Sequence, residues 1–191
     1  MTKPVVEVGA GAEEAAPRGR RWVRVLLAAI VLALGAMWVY VLFIGEPKTP
    51  NVLDDETWPA QAEQICATVA ADVAALPPAR SFADIDPLEE ALRQRAEVAE
   101  QATDLLEGQV TSLRALPAPA GEHDDELLAA WLADWDTYLQ DRRDHIAEWR
   151  AGRDGPFAET EADTGGPISN RMTALAKENR MPTCVVPGDL G

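Results

Sequence analysis

Cysteine and histidine are scarce in this sequence, two of each, and they lack the spacing that metal and redox chemistry needs. There is no CxxC pair, no HExxH helix and no Glu-x-x-His repeat of the kind that builds di-metal bundles. Nor is there a Gly-x-Ser-x-Gly elbow or a glycine loop able to cradle phosphate. No cysteine has an activating histidine close by in sequence. These absences leave an enzyme without a motif to carry it, and no catalytic residue, cofactor site or metal ligand set is expected. Internal repeats and strand-like alternation beyond a few residues are also missing, which points to an all-α chain.

One stretch lacks charge altogether. Val25 to Ile44, VLLAAIVLALGAMWVYVLFI, runs twenty residues without a charge. At 1.5 Å per residue a helix of that length spans roughly 30 Å, the thickness of a bilayer's hydrocarbon core. Arg18, Arg20, Arg21 and Arg24 precede it, whereas Gly45-Glu46-Pro47-Lys48 follows with one lysine. Positive charge stays on the cytoplasmic side, so the expected topology is a single pass with the N-terminus cytoplasmic and the remainder extracytoplasmic. Trp22 at the inner edge, with Trp38 and Tyr40 toward the outer one, fits the aromatic belts of membrane interfaces. The run is too long for a signal-peptide core, and no small-x-small cleavage site follows it, so an uncleaved plasma-membrane anchor is expected.

Charge divides the chain in the same place. Residues 1–24 carry five basic and three acidic residues, and residues 45–191 carry twelve basic and twenty-nine acidic. An exterior domain at −17 repels nucleic acid and anionic lipid head groups, leaving cationic partners or divalent ions. The expected organisation is a disordered basic tail over 1–21, a transmembrane helix over 22–44 and a semi-extended stalk over 45–57. A single helical domain over 58–191 follows, long enough for one core.

Within that domain, Thr57 can cap a helix from Trp58 to Leu76. Its apolar face is Ala62, Ile65, Val69, Val73 and Leu76, with Cys66 beside it and Pro77-Pro78 after it. Asp86-Pro87-Leu88-Glu89 reads as a capping box opening a second helix of about 30 residues, closed by Pro117 and Pro119. Its seam runs Leu88, Leu92, Arg95, Ala99, Ala102, Leu106, Gln109, Leu113 and Leu116, and the acidic line Glu97, Glu100, Asp104, Glu107 reads as its solvated face. A third helix opens on the acids Glu122 to Glu126 and ends at Gly152. Its stripe is Leu128, Trp131, Leu132, Trp135, Tyr138, Leu139, Arg142, Ile146 and Trp149. After the acidic loop 153–166, a short helix presents Ile168, Met172, Leu175 and Asn179. Four helices with proline- and glycine-marked turns predict an antiparallel up-down bundle. That topology brings Cys66 and Cys184 to one end, so a disulfide between them is expected in an oxidising compartment; a free-thiol role is the alternative.

Two features admit both a plain and a functional reading. Trp131, Trp135, Tyr138 and Trp149 at helical spacing suit a core packed against an alanine-rich neighbour, or else a partner- or ligand-facing patch. His123 and His145 have acidic neighbours, and Asp141 lies one turn before His145. Solvated, ion-paired histidines are expected over metal ligation. The acidic loop with Asp154, Glu159, Glu161 and Asp163 lacks EF-hand order and reads as a soluble loop over a calcium site.

The basic tail, single anchor, Ala- and Arg-rich helical exterior and terminal Asn-x-Met-Pro-x-Cys resemble small envelope proteins of actinobacteria. The residues that carry this are Cys66, Trp131 to Tyr138, and Asn179 to Cys184. The resemblance implies an envelope location and a helical exterior, and no activity. The expected function is interaction with another protein or an envelope component. The alternatives are a small-molecule or metal-ion sensor or carrier, and an accessory subunit using the Gly35-Ala36 patch for lateral contacts.

Overall fold

The computed structural model describes residues 19–43, 51–82, 84–163 and 165–190, and it divides into two compact units at Lys48/Thr49. The expected tail up to Arg18 lies outside the described residues, as do Ile44 and the first part of the expected stalk.

The first unit is one helix, α1 (Gly19–Phe43). Leucine, alanine and methionine supply helix propensity, and no proline interrupts. Every side chain from Trp22 to Tyr40 is exposed. Among the described residues, α1 is the one helix long and apolar enough to cross a membrane.

The second unit is helical: α2 (Thr57–Ala75), a 3-10 turn (Ala79–Phe82), α3 (Leu88–Arg114), α4 (Glu122–Arg150) and α5 (Ile168–Glu178). Among the described residues there is no strand, only an isolated bridge between Glu161 and Pro167. The longest face-to-face packing is α3 on α4; α2 and the 3-10 turn lie on α3, and α5 lies on α4. Ala91, Ala96, Ala99 and Ala102 are buried along α3, so a small-residue face meets the large side chains of α4.

Helix ends follow local chemistry. α4 stops where Gly152 takes φ 76°, with the Gly152 amide on the Trp149 carbonyl and the Arg153 amide on that of Glu148. This is a Schellman end, and the left-handed φ is why glycine stands there. α5 closes the same way with Arg180 at φ 59°, its amide on Lys177 and the Met181 amide on Ala176. Met181 and Ala176 are both fully buried, which is the apolar contact that accompanies this motif and holds a non-glycine residue in a costly conformation.

Two core clusters result. The larger gathers Trp58, Cys66, Leu106, Val110, Trp131, Trp135, Tyr138, Met172 and Cys184. The smaller gathers Leu92, Ala96, Ile146, Trp149 and Leu190. Trp58, Trp131, Trp135, Tyr138 and Phe157 form an edge-to-face chain with centroids 6.2, 6.1, 6.0 and 5.8 Å apart, the spacing at which aromatic quadrupoles attract. Cys66 and Cys184 are bridged, S–S 2.08 Å, tying α2 to the segment after α5.

Several expectations need correction. Residues 51–56 do not stand off as a stalk. Leu53 is buried in the core, and its amide donates to Asn179 Oδ1 at 2.8 Å. The Asp54 and Asp55 amides donate to the two oxygens of buried Asp124 at 3.0 and 2.9 Å. Burying these amides against side-chain acceptors satisfies them as well as water would, which a free stalk does not require. Thr57 is the first residue of α2 and no cap; its amide and hydroxyl both donate to Asp55. The Asp86–Glu89 capping box does not form either. Pro87 holds the boundary in an extended conformation with no side-chain cap, and Asp86 sits one residue too early to reach the first amides. Leu88, placed on the apolar seam, is exposed at the very start of the helix.

The acidic line on α3 is not a plain solvated face. Asp104 and Glu107 pair with Arg143 of α4 at 2.5 and 2.8 Å, Glu100 pairs with Arg150, and Glu97 pairs with Arg93. The loop after α4 is anchored as well: Thr160 donates its amide and hydroxyl to Asp141, and Ala162 is buried.

Candidate functional site

The inner face of α4 carries the chemistry. Its turn-by-turn spacing stacks Trp131, Trp135, Tyr138, Arg142, His145 and Trp149 along one side, and all six are buried. The aromatic stripe therefore fills the core, and the α3 alanines are its complement.

Arg142 is the sharpest feature there. Its side chain has no exposure, and both terminal nitrogens donate to Asp189 at 2.7 Å, a bidentate fork. Its Nε donates to Thr103 Oγ1 at 3.0 Å, and the Thr103 hydroxyl donates in turn to the Ala99 carbonyl. Burial opposes the Arg142 charge, but the hydrogen bonds and charge of Asp189 outweigh it and raise the guanidinium's pKa. The Tyr138 hydroxyl donates to the Pro187 carbonyl at 3.3 Å. Its pKa is pushed up to about 12, first by burial, with Arg142 pulling the other way. These contacts clamp residues 187–190 across α3 and α4, and Leu190 joins the core.

A second group surrounds Trp149. Arg95 lies over its indole, 4.5 Å from the ring centroid, and His145 packs against it at 4.4 Å and against Phe157 at 5.4 Å. Arg95 Nη1 reaches Asp154 at 3.1 Å. The Arg95 Nε, His145 Nε2 and Trp149 Nε1 atoms are buried with no partner, an expensive state for polar groups. Burial lowers the His145 pKa, and the Arg95 charge lowers it further. The expectation of a solvated, ion-paired His145 is thus overturned: aromatic walls shut it away from water. His123 is exposed. Asp141, the suggested companion of His145, is engaged by Thr160. Among the described residues no group of three or more His, Cys, Asp or Glu side chains stands close enough to hold a metal ion.

Several clefts open on this domain. One of about 530 Å³ lies between Arg95, Tyr138, Phe157, Glu159, Pro187 and Leu190. A second, about 580 Å³, has Trp131, Leu127 and alanines on its floor and the Arg171–Asp134 pair on its rim. A third, about 440 Å³, sits among Asp55, Glu56, Glu63, Glu178 and Arg180, with Leu53 and Pro59 behind. The outer surface is negative by construction. Every arginine side chain described in the domain is held in an ion pair with an acid of the same domain, leaving the excess carboxylates without an internal counter-charge.

Sequence reasoning missed Asp124, Asn179 and Asp189 as structural acceptors and donors. Their partners lie 69 or 70, 126 and 47 positions away, beyond any local signal. No protein-family profile, curated protein or solved structure matches the chain.

Proposed function

We propose that the protein is a single-pass protein of the plasma membrane, with its N-terminus cytoplasmic and an acidic extracytoplasmic domain that binds a cationic protein or envelope component. The observation that carries this reading is α1, a fully exposed apolar helix that only lipid solvates well. Orientation follows from four arginines before it against Lys48 after it. The Cys66–Cys184 bridge suits an oxidising compartment. A surface with its arginines internally committed and its carboxylates in excess favours a basic partner and steers its approach.

The domain is read as an antiparallel bundle. The contacts between α3 and α4 support this, because they descend along one helix as they climb the other. Arg114 meets Asp136, Glu107 meets Arg143, and Glu100 meets Arg150. Such a bundle presents a rigid face, with loops at its ends free to vary.

The test is a mild-detergent pull-down of the full-length protein from its native membrane, with a chain ending at Lys48 as control. The expected result is a partner retained by the full chain, lost with the domain and released by raised salt. Recovery of the same partners on residues 1–48 alone, or of none on the full chain, would overturn the reading.

A further inference from the structure

Among the described residues, four buried side-chain atoms have no partner, and they are not scattered. Three of them, on Arg95, His145 and Trp149, belong to one stacked group, and the fourth is the indole nitrogen of Trp135. An unpaired buried polar atom is costly to a fold, and of the three residues in this group Arg95 alone lines a cleft. Arg95 belongs both to this group and to the wall of the 530 Å³ cleft. That cleft lies within the size range of small-molecule sites, with apolar and aromatic walls and few polar groups, as such sites have.

The charges in the cleft are opposite and separately held. Arg95 gives one terminal nitrogen to Asp154, and its side chain, buried at Nε, keeps 17% exposure on the cleft wall. Glu159 gives one oxygen to the Ser169 amide at 3.1 Å. Phe157 and Tyr138, in contact at 5.8 Å, stand with Leu190 as the apolar wall. We propose that this cleft binds a small zwitterion with an apolar side chain: its carboxylate on Arg95, its amine on Glu159, and its side chain against Tyr138, Phe157 and Leu190. This inference stands apart from the anchoring and partner reading, since it rests on the domain's own cleft.

Chemistry separates this class from its neighbours. A dianion such as phosphate would meet Glu159 as well as an Arg95 already engaged by Asp154, inside a domain already strongly negative. A simple carboxylate answers the Arg95 charge and leaves Glu159 facing it with like charge. An amine alone answers Glu159 and leaves Arg95 facing it with like charge. A zwitterion answers both, and guanidinium is the cation best suited to a carboxylate.

The probe is L-phenylalanine, added to the full chain in lipid nanodiscs and followed by imidazole NMR. The protein has two histidines, one of which packs beside Arg95 while the exposed His123 is an internal reference. His145 should shift saturably with a Kd of about 2 mM or tighter, given the ligand efficiencies of small molecules. His123 should not move. Phenylacetate, which lacks the amine, and phenethylamine, which lacks the carboxylate, should each bind at least about tenfold more weakly.

Glu159→Gln keeps an acceptor for the Ser169 amide, so it should fold and lose the preference for the zwitterion over phenylacetate. Arg95→Lys keeps a cation near Trp149 but removes the planar guanidinium; it should weaken binding at least about tenfold while the thermal transition persists. No saturable His145 shift through about ten times the expected Kd would overturn the proposal. So would equal binding of phenylacetate, or undiminished binding by either folded variant.

Discussion

The six tryptophans divide between the two units, and the division is instructive. In α1, Trp22 and Trp38 are 78% and 60% exposed. In the domain, Trp58, Trp131, Trp135 and Trp149 are each 4% exposed or less. One residue type is thus turned outward over a whole helix and inward over a whole domain. A water-soluble fold keeps its bulky aromatics inside and rarely leaves a long apolar face uncovered. The domain obeys that rule and α1 inverts it, which the proposed membrane anchor explains as two segments suited to different solvents. A bilayer accepts exposed leucine and valine without penalty, and the indole suits its interface.

The sharpest way to break this comparison is to remove an indole from each unit. Trp135→Ala empties a fully buried site between Trp131 and Tyr138 and should lower domain stability by about 3–5 kcal/mol. Trp38→Ala should leave domain unfolding unchanged. Trp135→Phe should be far milder, since it keeps a ring in the stack and discards an indole N–H that has no partner. Urea titration of the full chain in detergent, followed by near-ultraviolet circular dichroism, measures all three. Equal loss from Trp38→Ala and Trp135→Ala would undo the distinction.

How much of this was legible in the sequence depends on the range of each interaction. The helices were readable because their signals are local: apolar residues three and four apart, prolines after Leu76 and Leu116, and glycine at position 152. The start of α3 was misread because a capping box describes sequence spacing, whereas Pro87 fixes a boundary one residue later than Asp86 needs. The stripe on α4 left core and surface open, and its burial became apparent only with the α3 alanines placed opposite it. Arg142 could be put on that stripe but not paired, because nothing local links it to Asp189 near the end of the chain. Residues 51–56 read as part of a linker from Pro47 and Pro50 just before them, the turn-like Asn51 and their acidic residues. Their folding onto the domain depends on Asp124 and Asn179, far along the sequence. The Trp149 group was illegible for the same reason: Arg95 and His145 are fifty residues apart and meet only across the α3–α4 contact.

A second prediction concerns closure, which the domain has and α1 lacks. Cys66 and Cys184 lie 118 positions apart, so their bond removes a large loop entropy from the unfolded chain. Replacing both by alanine should cost about 2–4 kcal/mol, less than the chain-entropy limit because the reduced chain retains some structure. Cys184 is buried between α2 and the end of α5, so the C-terminal segment should loosen first. Hydrogen exchange in the oxidised protein and the double alanine variant would locate that effect. Uniform loss of protection would mean that the bridge stabilises the domain as one cooperative unit and that the C-terminal segment is no weaker than the helices.

The smallest effect is expected where water reaches the domain, and two adjacent arginines make the contrast. Arg142 is wholly buried on Asp189, whereas its neighbour Arg143 keeps 30% of its side chain exposed among Asp104, Glu107 and Glu100. Three acids around one cation look strong on paper. Each is partly solvated, though, and the long arginine side chain gives up rotamer freedom to stay in place. Arg143→Ala should therefore cost about 1 kcal/mol or less. Part of that loss reflects repulsion among the three carboxylates it leaves behind, so the difference from wild type should shrink in about 1 M salt, where the Debye length falls to about 3 Å. Urea midpoints at low and high salt measure both. A salt-independent loss of several kcal/mol would mean that the exposed ladder, like the buried indoles, holds the domain together.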